Sequence, residues 1–458
     1  MRIFFALMIS AMSAIAADVR AGTAAVNITP PKGAPMAGYY YNRAAQGVHD
    51  DLFAKAIVLE SEGVRVAVVA CDVESLPRAI VEQARKKIEA DTGIGGGAVM
   101  ISATHTHTGP VILEERTPDK LEGEMFDIAR KYTEDLPDKI AESVKLAAAA
   151  LKPVRVSAGI GREPSLTFNR RFYMKDGSVA WNPGKLNPEV VRPAGPTDPA
   201  VPVAYFEALD GHPLATYVNY AMHLDTVGGF EYSADYAYTL SKLLAAAKAP
   251  DMLTVFTIGC AGNLNHIDAN TPVKQSGHAE AARIGTVLAA EVLRTLKNME
   301  RLDLGVPRVR SEIVPLPLPE IRPGELEWAR TITPTFGKEN AAPFMDLVRA
   351  FKIVDVVERA GRPIEAEVQV ITLGDRLAWV GLPGEIFTEL GMMIKLASPF
   401  QYTIVASLAN GSIGYVPDRK AYPQGAYEPV SARCAAGSGE MLVDRATRLL
   451  VDIHEHSR

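Results

Sequence analysis

The chain has 458 residues, of which 48% are hydrophobic and 22% are charged, and its formal net charge is −6. This length allows a large hydrophobic core, and the composition is typical of a folded soluble protein. The acidic balance excludes an obvious electrostatic reason to bind nucleic acid or a membrane surface.

The N-terminal residues 1–16 have the pattern of a cleaved export signal. Arg2 precedes a largely apolar stretch that ends in Ala14-Ile15-Ala16. Such a stretch is typical of secretory signals and is too short to span a bilayer comfortably. No later stretch is suited to span one either. We predict a signal peptide at 1–16 and a single domain at 17–458, located in the periplasm or outside the cell.

Three cysteines, Cys71, Cys260 and Cys434, lie among small or apolar residues. One pair could form a disulfide, but the sequence does not indicate which pair. Buried free thiols are the favoured interpretation, since unpaired cysteine behaves as a small apolar residue.

Strand-like and helical patterns alternate along the whole chain. Strands are predicted at residues 26–29, 51–59, 64–69, 98–103, 154–158, 165–173, 202–209, 214–220, 252–258, 365–373, 377–380 and 402–406. Helices are predicted at residues 78–90, 125–151, 234–247, 276–297, 325–329, 343–360, 385–397 and 437–454. Strands and helices often follow one another, so the predicted fold class is α/β (α+β), with mixed β-sheets flanked by helices.

Two histidines, His105 and His107, lie in the segment THTHTGP at residues 104–110, directly after an apolar run. Gly109-Pro110 is expected to end the strand, and sites in sheet proteins are often built at strand ends. One imidazole could bind a metal while the other faces a substrate. The alternative is that both are polar residues that only cap the strand, and the pair alone does not decide between these interpretations.

Further polar side chains follow apolar strands or lie in nearby loops. His223 closes one strand, Glu385 follows Pro-Gly at the start of a predicted helix, and Tyr415 lies in a Gly-rich loop. Each has a structural alternative, because lone histidines and loop tyrosines often only pack and the helix dipole favours a carboxylate at a helix start. The sequence contains no His-Glu-x-x-His, paired Cys-x-x-Cys, phosphate-binding loop or Gly-x-Ser-x-Gly motif.

Taken together, several segments resemble the neutral, non-lysosomal ceramidases, in the same order along the chain. They are NITPP at 27–31, THTHTGP at 104–110, Asn169-Arg170, PGE at 383–385, and Tyr415 with Tyr427 twelve residues later. Members of this family are zinc-dependent, secreted or surface-exposed amidases that split ceramide into sphingosine and a fatty acid. The resemblance therefore implies a ceramidase-like catalytic domain.

The resemblance also implies a role for each matching residue. One Zn²⁺ per chain is expected, with four ligands: His105, His223, Glu385 and Tyr415. His107 matches a histidine that faces the substrate amide, Arg170 an arginine of the site, and Tyr427 a tyrosine near the reacting carbonyl. Arg171 follows Arg170 directly, which leaves the choice between them open, and a solvated charge at a strand end is an equal alternative for either.

The sequence departs from the family at two points. Where ceramidases have Gly-Asp-x-Ser-Pro, Asn263 stands in place of the aspartate and Asn265 in place of the serine. Asparagine can donate a hydrogen bond to an oxyanion but cannot act as a nucleophile, so Asn265 is expected as an oxyanion donor and hydrolysis would depend on a metal-activated water. The chain is also expected to lack the C-terminal immunoglobulin-like domain of ceramidases, so its substrate need not be ceramide.

Two imidazoles, one carboxylate and one phenol form a nitrogen and oxygen donor set that suits zinc. We predict an exported zinc hydrolase that cleaves the N-acyl bond of a small-molecule or lipid-like substrate. A zinc esterase or lactonase is one alternative; a zinc-binding protein without turnover is another, because Asn265 replaces the family serine. Asp225, two residues after His223, is a minor candidate for a second cation site. No sequence feature specifies the oligomeric state.

Overall fold

The computed structural model describes residues 19–114, 121–303, 305–338 and 340–456. The predicted signal peptide at 1–16 lies outside these residues. Export and the division into a signal peptide and one domain therefore stay predictions.

The elements of the described residues follow in chain order. The strands are β1 (Arg20–Asn27), β2 (Gly47–Val48), β3 (Phe53–Ser61), β4 (Val64–Cys71), β5 (Val99–Ala103), β6 (Lys152–Arg162), β7 (Phe168–Asn169), β8 (Arg171–Met174), β9 (Val179–Trp181), β10 (Val190–Pro193), β11 (Ala200–Ala208), β12 (Pro213–Tyr220), β13 (Glu231–Tyr232), β14 (Leu253–Ile258), β15 (Leu264–Asn265), β16 (Glu300–Arg301), β17 (Pro307–Leu316), β18 (Ile364–Leu373), β19 (Leu377–Gly381), β20 (Glu385–Ile386), β21 (Tyr402–Ala406) and β22 (Tyr415–Val416). The α-helices are α1 (Arg78–Thr92), α2 (Gly123–Ala149), α3 (Tyr236–Lys248), α4 (His278–Leu296), α5 (Glu325–Ile332), α6 (Phe344–Glu358), α7 (Thr388–Ala397), α8 (Tyr427–Ser431) and α9 (Ser438–Glu455).

Two sheets form the centre of the molecule. The larger has the strand order β14-β12-β11-β6-β1-β3-β4-β5, with β16 paired to β6, and the smaller has the order β17-β18-β19-β21. Both mix antiparallel pairs with parallel ones, the parallel pairs being β4 with β5, β12 with β14, and β19 with β21. Mixed sheets flanked by helices were predicted from the sequence, and this fold class is confirmed.

The two sheets pack face to face, as the alternation of side chains along their strands shows. In β3, Val58 packs into a core shared with helices α1 to α4, whereas Ile57 packs with Trp379 of the smaller sheet. In β18, Ile371 joins that same core between the sheets, whereas Val370 packs with helices α7 and α9. The molecule therefore has four layers: helices, larger sheet, smaller sheet and helices.

The helix after Glu385 begins later than the sequence predicted. Glu385 was expected at the start of a helix over residues 385–397, but it lies in β20, which pairs in parallel with β22, and α7 begins only at Thr388. The N–H of Glu385 donates to the carbonyl of Gly414 at 3.0 Å. Pro-Gly-Glu is a local helix-start pattern, whereas the pairing with Tyr415 is a contact between residues far apart in the sequence.

All three cysteines are buried and free, as the sequence indicated. Within the described ranges, no helix has the length and apolar character needed to cross a membrane.

Candidate metal centre

The candidate ligands lie where buried strands of the larger sheet end and where two short strands meet beside the smaller one. His105 follows the end of β5 by two residues, and His223 follows the end of β12 by three. His105 has a φ of 74°, in the left-handed region that few non-glycine residues adopt. The chain therefore turns at His105 itself, earlier than the turn expected at Gly109-Pro110, and the two rings of the His-x-His segment converge.

Three imidazoles form a compact group. The Nε2 atoms of His105 and His107 are 3.4 Å apart, and the ring centroids of His105 and His223 are 4.7 Å apart. One ligand nitrogen from each of the three histidines lies within 4.8 Å of the others. His105 and His223 are each only 1% exposed, whereas His107 is partly exposed. The group could hold a metal ion.

The outer nitrogens of two rings are fixed by backbone carbonyls. Nδ1 of His105 lies 2.8 Å from the carbonyl oxygen of Glu74, and Nδ1 of His223 lies 2.9 Å and 2.8 Å from those of Ala261 and Leu264. An Nδ1–H that donates to a carbonyl leaves Nε2 as the lone-pair nitrogen. In the neutral form of each ring, Nε2 is therefore available as a ligand.

Glu385 adds a carboxylate beside His105 and His223. Its Oε2 lies 3.1 Å from Nε2 of His223 and 3.4 Å from Nε2 of His105. Ligand atoms about 2.1 Å from one tetrahedral cation are about 3.4 Å apart. The donor types and their separations thus fit one cation shared by the two histidines and the carboxylate.

The carboxylate and the imidazoles shift one another's pKa values. Burial acts to raise the pKa of Glu385, but His105 and His223 hold it well below its usual range. Burial acts to lower the pKa of His105, but Glu385 and Glu74 raise it to about 9. Burial, followed by His105, lowers the pKa of His107 to about 3. His107 is therefore neutral at pH 7, and its imidazole can bind a metal.

Tyr415 brings a phenol next to the carboxylate, because β22 sets it opposite Glu385 in register. Its hydroxyl oxygen accepts a hydrogen bond from Nη2 of Arg170 at 3.0 Å. Burial raises the pKa of Tyr415 well above its usual value, and Arg170 acts to lower it. Arg170 is thus the neighbouring cation that partly offsets the effect of burial on this phenol.

The structure distinguishes the two neighbouring arginines. Nη1 of Arg170 lies 3.3 Å from Nε2 of His223, inside the cluster, whereas Nη1 of Arg171 donates to the carbonyl of Gly425 at 3.0 Å. Both donate at 2.8 Å to the two oxygens of Glu428, which is fully buried. Arg170 therefore faces the candidate centre and Arg171 anchors the loop beside it; neither is a solvated strand-end charge.

Tyr427 begins helix α8 at the edge of the cluster. Its ring centroid is 5.2 Å from that of Tyr415, and the guanidinium carbon of Arg170 lies 5.8 Å from it. The ring also contacts Trp181, at 4.7 Å between centroids. This position beside the candidate ligands agrees with a tyrosine near a reacting group, and its catalytic role stays a prediction.

Asn263 and Asn265 are both buried and hydrogen-bonded. Oδ1 of Asn263 accepts from the N–H of Thr388 at 2.9 Å, which holds the start of α7. Nδ2 of Asn265 donates to Oδ1 of Asn182 at 3.2 Å, and its Oδ1 accepts from the N–H of Ile267 at 3.1 Å. These bonds give Asn265 a structural function, and its expected role as an oxyanion donor stays a prediction.

Sequence reasoning missed three residues near the centre. Glu428 was not singled out, although it follows Tyr427 directly. Trp181 gave no signal, because only the fold brings it to Tyr427. His266 pairs with Asp225, Nδ1 to Oδ1 at 2.9 Å, and thereby uses the carboxylate that had been considered for a second cation.

Comparison with known proteins supports the resemblance seen in the sequence. Residues 20–175 match the family model for the N-terminal part of the neutral/alkaline non-lysosomal ceramidases. The crystal structure of the neutral ceramidase from Pseudomonas aeruginosa matches with a TM-score of 0.73 and 19% identity, over 96% of this chain and 75% of that one. A ceramidase in complex with C2 matches with a TM-score of 0.72 and 18% identity, over 96% of this chain and 76% of that one. At this identity the two structures establish the fold.

Proposed function

We propose that this chain, which has the fold of the neutral ceramidases and matches their family over residues 20–175, is a zinc-dependent hydrolase of N-acyl amide bonds. The observation that carries the proposal is the approach of one carboxylate oxygen of Glu385 to Nε2 of both His105 and His223, at 3.4 and 3.1 Å. Catalytic zinc sites typically have such sets of nitrogen and oxygen ligands and keep one position open.

In this proposal His105, His223, Glu385 and Tyr415 hold the ion. A zinc ion bound there lowers the pKa of water from about 15.7 to about 7 and polarises a carbonyl group. Arg170, which donates to the phenol oxygen, would help to stabilise the phenolate form of Tyr415 when the ion is bound.

Three residues of the chain then act on the amide. His107, which is partly exposed beside His105, is proposed to take a proton from the attacking water and to give it to the leaving amine. The hydroxyl of Tyr427 donates to the carbonyl oxygen as negative charge develops on it. Asn265 is proposed as a further oxyanion donor, which requires its Nδ2 to share or leave the bond to Asn182.

The test is hydrolysis of matched p-nitroanilide and p-nitrophenyl substrates that carry the same acyl groups. We expect anilide hydrolysis that stops with a zinc chelator and returns with added Zn²⁺. His105→Ala should lose both zinc and activity, whereas His212→Ala, a control in an exposed turn where the ring pairs with Asp251, should keep both. Ester hydrolysis without anilide hydrolysis would instead indicate an esterase or lactonase. Stoichiometric zinc without any turnover would indicate a zinc-binding homologue.

We further propose that the protein is exported, because residues 1–16 have the pattern of a cleaved signal. N-terminal sequencing of the protein recovered from the periplasm or medium of an expressing bacterium should begin at residue 17. Recovery of the full-length chain from the cytoplasm alone would contradict this.

A further inference from the structure

Four aromatic side chains form a continuous series that begins at Tyr427, beside the candidate ligand Tyr415. From Tyr427, the ring centroids of Trp181 and Phe344 lie 4.7 and 5.5 Å away. Phe344 in turn lies 5.1 Å from Tyr40. We call Tyr40, Trp181, Phe344 and Tyr427 the aromatic wall. It connects the candidate metal centre with the protein surface, where Tyr40 and Phe344 are 36% and 37% exposed.

The wall is assembled from four separate segments of the chain. Tyr40 lies in the loop after β1, Trp181 ends β9, and Tyr427 begins α8. Phe344 is the first residue of α6, which with α5 forms a helical pair inserted between β17 and β18 of the smaller sheet. This pair has a small apolar core of its own, formed by residues such as Ala350. Phe344 is therefore presented to the wall by an element outside the four layers.

The rings of the wall are in contact with one another. Trp181 and Phe344 are nearly parallel, with 23° between their planes and 5.9 Å between centroids, and both also contact the ring of Tyr427. These are ordinary distances for packed aromatic pairs, with no space for an alkyl chain between the rings. The indole N–H of Trp181 is buried and has no hydrogen-bond partner among the described residues, which leaves a donor for a polar ligand atom.

We propose that the aromatic wall binds the acyl part of the substrate and that Phe344 restricts it to a compact group, either a short chain or an aryl group. This rests on the proposed function, in which the amide carbonyl lies beside Tyr427. An apolar group that extends from that carbonyl along the wall meets the rings of Trp181 and Phe344 after about one ring's width. A phenyl ring gains face or edge contacts there, whereas a long alkyl chain has to displace Phe344.

The test compares p-nitroanilides with acetyl, phenylacetyl, octanoyl and hexadecanoyl groups. For the native protein we expect kcat/KM to be highest with phenylacetyl or acetyl. Phe344→Ala should raise the octanoyl-to-acetyl ratio of kcat/KM at least about tenfold, which is the scale on which apolar pockets discriminate size. Phe336→Ala is the matched control, since this phenylalanine belongs to the same helical region but contacts Phe351, at 5.6 Å between centroids. It should leave the ratio unchanged.

Phe344→Leu keeps most of the side-chain volume and replaces Phe344→Ala in this test if the alanine variant does not fold. It should change the ratio in the same direction by a smaller factor. A native preference for hexadecanoyl, or a ratio that neither Phe344 variant alters, would overturn the proposal.

Binding of phenylacetate, followed by tryptophan fluorescence, separates this proposal from the proposed function because it needs no turnover. We expect quenching that saturates and disappears in Trp181→Phe. Quenching without hydrolysis of any anilide would retain the subsite and reject the hydrolase. Anilide hydrolysis with neither quenching nor a change of the acyl ratio would reject the subsite and retain the hydrolase, and absence of both would reject both.

Discussion

The two halves of the candidate centre are built differently. Its nitrogen side comes from the larger sheet, where His105 and His223 follow buried strands and each Nδ1 is fixed by a backbone carbonyl. Its oxygen side comes from two strands of two residues each, in which Glu385 and Tyr415 are paired with each other and Arg170 donates to the phenol. The rings of the nitrogen side are thus oriented by backbone carbonyls, whereas on the oxygen side the main chain pairs the two residues and a charged neighbour contacts the phenol.

The largest effect should come from removing one ligand from either side. His105→Ala and Glu385→Ala are each expected to lose the zinc and to lower activity more than about 100-fold, because even residues that only orient ligands have effects of about 10- to 100-fold. Zinc per chain by elemental analysis and kcat/KM for an anilide measure both. Full zinc occupancy in His105→Ala would show that the ligand assignment is wrong.

The next test concerns the charges behind the oxygen side. Arg170→Ala and Arg171→Ala should each lower the free energy of unfolding by about 3 kcal/mol, since each leaves the buried Glu428 with one partner fewer. Only Arg170→Ala should also lower kcat in the fraction that remains folded, because only Arg170 contacts Tyr415. Urea unfolding and active-site-normalised rates separate the two effects. Equal losses of kcat in both variants would contradict the distinction between the arginines.

Tyr427→Phe removes one hydroxyl and leaves the ring contacts. The variant should keep its zinc and lose about 100-fold in kcat, the scale of a lost oxyanion donor. The control is Tyr422→Phe. In the native protein the hydroxyl of Tyr422 donates to the carbonyl of Cys434 at 2.9 Å. A kcat for Tyr427→Phe within twofold of the native value would exclude it from the reaction.

The smallest expected effect is the pH dependence of the metal-free protein. Because the folded pKa of His105 is raised from 6.5 to about 9, its contribution to stability is complete below about pH 6.5 and is lost as the pH rises through 9. Because the folded pKa of Glu385 is lowered, its contribution to stability is complete above its ordinary pKa of 4.5. This contribution is lost as the pH falls through the folded pKa. The melting temperature of the metal-free protein should therefore be highest between about pH 4.5 and pH 6.5. In Glu385→Gln, the fall of the melting temperature at alkaline pH should be smaller by a few degrees. An unchanged dependence of the melting temperature on pH would contradict the electrostatic coupling of His105 and Glu385.

The sequence indicated where polar side chains would gather, because several follow recognisable strand ends. The ligand set itself was implied only by the resemblance to the ceramidases. His105 and His223 each come after an apolar run, and Glu385 follows a Pro-Gly break. The choice between Arg170 and Arg171 could not be predicted, because both donate to Glu428. Only the contacts of Arg170 with His223 and Tyr415, which the fold creates, place it in the cluster. The parallel pairing of Glu385 with Tyr415 was likewise hidden, since it joins segments thirty residues apart.

The pairing of β20 with β22 fixes the distance between the two oxygen donors, Glu385 and Tyr415. The N–H of Glu385 donates to Gly414 and that of Phe387 to Val416, so the interval between carboxylate and phenol is set by main chain rather than by side-chain packing. Length changes in the intervening segment 398–401, between α7 and β21, would leave the interval intact. A slip of the pairing by a single residue would instead turn the phenol to the opposite face, so the ion could no longer be held by both oxygens.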